Sequence, residues 1–256
     1  MSSLDAYDLG QYLGRGAFAA VYRARNRKTG QDVAIKICNR PQDEDQGWIM
    51  HMQNEISIHS KLKHPNIVSL YECFECERHV YLVVELCEGG NLYQHLRNGP
   101  LNEKLAVSII QQLASSIDYI QSQNIMHRDL KLSNILLTGD LNDPNTTVKL
   151  CDFGLACRKE HPDEEHFTFC GTANYIAPEI VSCNAHDFPA DLWSLGCLFY
   201  AMVVGDAPFE EENKEEIFKR IKAGSYEVPE GLMSQSGQHL LRSLLQSVSY
   251  GCLLYF

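Results

Sequence analysis

The sequence predicts an α+β fold of two unlike lobes, and three observations carry that expectation. The first third alternates in the manner of strands, the rest repeats apolar residues at helical spacing, and a short glycine-bearing stretch marks the change. Residues 9–37 are rich in β-branched and aromatic side chains, broken by Gly14, Gly16 and Gly30, and residues 68–74 and 79–85 repeat that style. These segments predict a small antiparallel sheet within a first lobe at 7–85. Residues 48–62 interrupt it with Ile49, Met52 and Ile56 at helical spacing, after the polar loop 39–47, so one helix is expected on the sheet.

From Glu88 onward the period turns helical. Ala106, Ile110, Leu113, Ile117 and Ile120 form one stripe at steps of three and four. Residues 190–204 are apolar nearly all round and predict a central buried helix, while 215–221 and 238–246 predict amphipathic surface helices. A hinge at 86–90 then joins the β lobe to a mainly α lobe at 91–246, and ligands favour the crevice such a hinge creates. Residues 247–256 form an atypical tail. No internal repeat or low-complexity tract is found.

A chain of 256 residues, 45% apolar, can bury a sizeable core. Its 22 basic and 33 acidic residues give a net charge of −11, which argues against nucleic acid or an anionic membrane as the main partner. No apolar run is long enough to span a bilayer, and residues 1–10 lack the basic start and apolar core of a secretion leader, so a cytoplasmic address is expected. The 10 cysteines are scattered, which suits reduced thiols. Cys73 and Cys76 form a lone C-x-x-C whose aromatic and aliphatic flanks read as strand edges rather than as a zinc site. Nothing in the sequence fixes an oligomeric state.

The chemistry begins at Gly14-Arg15-Gly16-Ala17-Phe18-Ala19, followed by Val21. Glycines let backbone amides approach phosphate oxygens, and the valine can cover a base. Alone, this string is also an ordinary hairpin turn, and Ala19 replaces a third glycine. Next comes Val33-Ala34-Ile35-Lys36, whose alternation places Lys36 on the face of Ala34; an ammonium there can hold phosphates, with Glu55 fixing it by an ion pair. A solvated lysine is the plain alternative, weakened by the loop before it and Glu55 after it.

His127-Arg128-Asp129-Leu130-Lys131-Leu132-Ser133-Asn134 fits a catalytic loop in which the aspartate orients or deprotonates a substrate hydroxyl and the asparagine holds a magnesium ion. Asp152-Phe153-Gly154 supplies a carboxylate that links magnesium to nucleotide phosphates. A dinucleotide-binding reading of the glycine loop fails, because that loop joins two strands rather than a strand and a helix.

With these motifs in this order, the chain resembles eukaryotic protein kinases over residues 7–246, with Ala177-Pro178-Glu179 and Asp191-Leu192-Trp193-Ser194-Leu195-Gly196 adding to the likeness. Glu55-Ile56-Ser57-Ile58-His59, Lys131-Leu132-Ser133-Asn134 and Phe167-Thr168-Phe169-Cys170-Gly171-Thr172 resemble the Polo-like group. The stretches 161–166 and 191–197 are most similar to its centriole-duplication branch. The resemblance implies a two-lobed protein-kinase-like fold and transfer of the ATP γ-phosphate to serine or threonine in protein substrates, with Mg2+ as cofactor. It implies catalytic roles for Asp129, Lys131, Lys36 and Glu55, and metal binding at Asn134 and Asp152. Around the nucleotide it places Leu13, Gly14, Arg15, Gly16, Ala17, Phe18, Val21, Ala34, Lys36, Val84, Glu85, Cys87 and Leu136. Glu85 and Cys87 would offer backbone hydrogen bonds to adenine, Val84 would guard the rear pocket, and Asp191 would support the catalytic loop. Thr172 would link the substrate platform to Asp129.

Further expectations follow from that likeness. Thr168 lies in the activation segment, and Arg128 sits beside Asp129, where an added phosphate can dock and order the loop. Cys151, just before Asp152, reads either as a labelable thiol behind the nucleotide or as a small buried apolar residue. A centriolar address comes from resemblance alone. Two departures stand out: Ala173 replaces the group's usual proline, and beyond Arg220 the only arginine available to pair with Glu179 is Arg242. The tail matches no family ending, which predicts a missing last helix and low stability, and sets a weakly active or inactive nucleotide-binding scaffold against the enzyme.

Overall fold

A computed structural model describes residues 3–16, 19–41, 45–143, 145–161 and 163–246. Ala17 and Phe18 of the glycine loop, and the tail 247–256, lie outside them. In chain order the elements are β1 (Tyr7–Arg15), β2 (Ala19–Asn26), β3 (Asp32–Asn39), α1 (Gln46–His59), β4 (Leu70–Glu75), β5 (His79–Glu85), α2 (Leu92–Leu96) and α3 (Glu103–Ser122). They continue with β6 (Ile125–Met126), β7 (Ile135–Leu137), β8 (Val148–Leu150), β9 (Cys157–Arg158), α4 (Pro178–Val181), α5 (Pro189–Val204), α6 (Lys214–Ala223) and α7 (Gln235–Leu244). The chain forms two compact units: residues 1–90 with 137–154, and residues 91–136 with 155–256. The expected second lobe ran unbroken from 91 to 246, whereas residues 137–154 group with the first unit.

The first unit is built on an antiparallel sheet of order β1-β2-β3-β5-β4. Alternation along its strands makes two unlike faces. Tyr7, Ala24, Val33, Ile35, Tyr81 and Val83 pack together on one. Ala19, Cys38, Val80 and Leu82 form the other, covered by Trp48, Met52 and Ile56 of α1. That helix starts two residues before the expected 48 and stops at His59. Asp45, in the polar loop, accepts hydrogen bonds from the Gly47 and Trp48 amides and so sets its start. Residues 137–154 dock here through Asn66 and Val68: the Leu150 N–H donates to Asn66 O at 2.9 Å, and the Val68 N–H donates to Leu150 O at 2.9 Å.

In the second unit the predicted stripe on α3 is buried throughout. α5 is buried on almost every side, including Asp191 in its first turn. α7 spans 235–244 rather than the expected 238–246 because Ser234 caps it, accepting from the Gly237 N–H at 3.0 Å. The short strands β6 and β9 pair within a lobe expected to be mainly helical. Strands of two residues carry too little periodicity to be read from sequence.

Candidate active site

The first unit gathers one cluster of charge. β3 alternates, so Ala34, Lys36 and Cys38 face α1, and cross-strand register places Val21 beside Lys36 and Val84 beside Ala34. The predicted nucleotide residues Val21, Ala34, Lys36 and Val84 therefore share one sheet face. α1 crosses that face and brings in Glu55, which is buried. Lys36 Nζ donates to Glu55 Oε1 at 2.6 Å and to Asp152 Oδ1 at 3.1 Å. Burial opposes the ammonium, but Glu55 and Asp152 outweigh it and hold Lys36 above the usual lysine range. The lysine is thus charged at every physiological pH, and its chain is fixed by two carboxylates.

Gly14 pairs across from Val21. Among the described residues a Cβ at Gly14 would meet no heavy atom within 4 Å, and one at Gly16 would meet only Ala19 O at 3.9 Å. Packing among the described residues does not demand glycine there, which leaves the backbone open to close approach. Leu13 and Arg15 occupy the same strand end. At the far end of β5, the Glu85 N–H donates to Ser69 O at 2.9 Å, and its carboxylate pairs with Lys149 at 2.6 Å. The N–H is committed, so what Glu85 can offer a purine narrows to its carbonyl. Burial and then Glu85 push the Cys87 thiol up.

The second unit gathers the catalytic-loop cluster. Asp191 is buried and accepts the His127 and Arg128 N–H groups at 2.8 and 2.9 Å. Burial raises its carboxyl, and His127 and the two backbone bonds act the other way. This anchorage holds Arg128 at φ 65°, a left-handed conformation that non-glycine residues seldom take. Asp129 follows with its carboxylate engaged on both oxygens. Thr172 Oγ1 donates to Oδ1 at 2.8 Å; Lys131 Nζ and Asn134 Nδ2 donate to Oδ2 at 2.6 and 3.2 Å. Gly171 makes the Thr172 contact possible: at φ 106° it lies so close that a Cβ would stand 2.9 Å from Arg128 O.

Magnesium takes hard oxygen donors, and Asp152 and Asn134 present a carboxylate and a carboxamide. Asn134 commits its amide nitrogen to Asp129 O at 2.9 Å as well as to the carboxylate, which leaves its carbonyl oxygen as the coordinating end. Asp152 takes φ 66°, a second left-handed non-glycine residue at a site position. Each of these donors, within its own unit, is of the kind that suits the metal the motifs imply.

Leu136 lies in the second unit, bridged to Asn91. Thr168 is exposed between the exposed Phe167 and Phe169. Arg128 donates Nε to Leu155 O at 2.8 Å. Among the described residues no acceptor takes its Nη groups. Cys151 is half-buried. Glu179 has no ion-pair partner among the described residues, and burial raises its carboxyl above the usual range. Arg220 instead pairs with Glu211, and Arg242 bonds Gln238. Sequence reading missed the Glu85–Lys149 pair and the role of Gly171, since neither sits in a charged motif.

The protein kinase domain family matches residues 7–250. The serine/threonine-protein kinase PLK4 of Drosophila melanogaster is 40% identical over 250 residues, covering 97% of this chain and 32% of that protein. PLK4 of Drosophila simulans gives the same figures. PLK4 of Xenopus tropicalis is 42% identical over 236 residues, 91% of this chain and 24% of that protein. The chain therefore spans about a third or less of the length of these relatives. Among the described residues no helix is long and apolar enough to cross a membrane.

Proposed function

We propose, from the premise that the chain belongs to the protein kinase domain family, that it transfers the γ-phosphate of ATP to serine or threonine hydroxyls of proteins. The observation that carries this reading is the Asp129 carboxylate, held on one oxygen by Thr172 and on the other by Lys131 and Asn134. A carboxylate so fixed can accept the hydroxyl proton in one orientation, and positioning of this kind contributes much of the rate of a phosphoryl transfer. Lys131 adds a positive charge beside that oxygen, where the transferring phosphoryl group gathers negative charge.

Lys36, clamped by Glu55 and Asp152, supplies the ammonium for the nontransferred phosphates. The open backbone at Gly14 and Gly16 receives phosphate oxygens, Val21, Ala34 and Val84 cover the base on their shared face, and Leu13 adds to the apolar contact. Asp152 in the first unit and Asn134 in the second would each offer magnesium an oxygen donor, and the bound ion would supply neutralisation of phosphate charge. Arg128 is the docking group for a phosphate on Thr168, whose exposure suits modification. Likeness to PLK4 extends the proposal to centriole duplication in the cell cycle, with cytoplasmic and centriolar addresses.

Incubation with γ-labelled ATP, magnesium and casein tests the reaction. The expected product is acid-stable label on serine and threonine, lost with a chelator and in Asp152→Ala. Label that persists in both, or that appears on tyrosine alone, removes the proposal.

A further inference from the structure

A pair of histidines joins the segment bearing Thr168 to the stretch between α4 and α5. His166 and His186 form an isolated antiparallel bridge, in which the His186 N–H donates to His166 O at 2.9 Å. Their rings lie 6.3 Å apart, centre to centre. His186 is only 4% exposed, and neither of its ring nitrogens has a hydrogen-bond partner among the described residues. Nε2 of His166 is also buried without a hydrogen bond; its nearest acid is Glu164, at 3.7 Å.

A neutral imidazole tolerates such a seat better than an imidazolium, which needs acceptors for two N–H groups. The charges around His186 do not supply them. Arg128, from the catalytic loop, and His166, from the facing segment, both disfavour a proton on it. Asp187, its chain neighbour, favours one, but that carboxylate is engaged by Lys159 at 2.5 Å.

We propose that the seat of His186 against His166 is an acid-released latch: protonation of the buried His186 ring unseats it and frees the segment that carries Thr168. Burial, Arg128 and His166 lower the seated ring's pKa to about 4. Released, it returns to the ordinary imidazole value of about 6.5. A group with its folded pKa depressed stabilises the closed state above the released value, and loses that contribution as pH falls toward the seated one. Between pH 7.5 and 5.5 the open population is therefore expected to rise about tenfold.

The experiment is hydrogen exchange of the His186 amide in the intact chain at both pH values, each divided by the unstructured-peptide rate. Wild type should open about tenfold more at pH 5.5, amides within α5 should not follow, and His186→Phe should change less than twofold. An equal rise in the variant, no rise in wild type, or a parallel rise in α5 overturns the latch. Should the variant fail to fold, the wild-type His186 Cε1–H resonance decides. A ring that stays neutral below pH 5 while its amide is protected upholds the proposal; an ordinary midpoint with the amide still protected overturns it. This readout is backbone opening, so it stands or falls apart from the phosphotransfer reading.

Discussion

The two charged clusters solve one problem in opposite ways. In the first unit, Lys36, Glu55 and Asp152 come from a strand, a helix and a loop, and side chains fix one another through ion pairs. In the second, Asp129, Lys131 and Asn134 lie within six residues, and the loop that carries them is fixed through its backbone by the buried Asp191. The first arrangement depends on packing between distant elements, chiefly the docking of α1 through Trp48, Met52 and Ile56. The second depends on one carboxylate at the start of α5. A site built the first way can be loosened by shifting a helix, whereas one built the second way stays formed as long as α5 does.

That contrast can be broken or sharpened by substitution. The largest effect is expected at Asp129: Asp129→Ala should lower kcat by about two to four orders of magnitude, read by phosphate transfer to a serine peptide, because it removes the proposed base. Lys36→Met should lower kcat/KM for ATP by about two orders of magnitude, and Glu55→Gln by less, since Asp152 still holds the ammonium. A Glu55→Gln effect as large as that of Lys36→Met would mean that the ion pair, rather than the ammonium, carries the function.

Thr172→Val should lower kcat about tenfold with little change in Tm, since it frees one Asp129 oxygen while Lys131 and Asn134 keep the other. The smallest effect falls at Glu179, whose carboxyl is raised by burial and has no ion-pair partner among the described residues. An acid with its folded pKa raised stabilises fully below its unfolded value, and that contribution is lost as pH rises through the folded one. Glu179→Gln should therefore raise Tm at pH 7.5 by about 2–4 °C, and by less at pH 5.5, in a thermal melt.

The same contrast explains what was legible in the sequence. The catalytic loop could be read because its chemistry is contiguous, and the alternation of β3 placed Lys36 and Ala34 on one face. The stripe on α3 and the uniform apolarity of α5 gave their burial directly. Return of residues 137–154 to the first unit was not legible: it rests on backbone bonds of Leu150 to Asn66 and Val68, which leave no pattern in side chains. The His166–His186 bridge was hidden for a related reason, since two histidines 20 positions apart show no period. The α1 start was recoverable from Asp45, a capping residue that a purely apolar count passes over.

If the two clusters hold separate tasks, phosphate holding in the first unit and hydroxyl activation in the second, then binding and transfer must come apart. The measurement is the affinity of Asp129→Ala for magnesium-ATP, taken beside its single-turnover transfer rate. The account predicts affinity within about threefold of wild type and transfer slower by about two orders of magnitude or more. Affinity and transfer lost together, or transfer left intact, would contradict it.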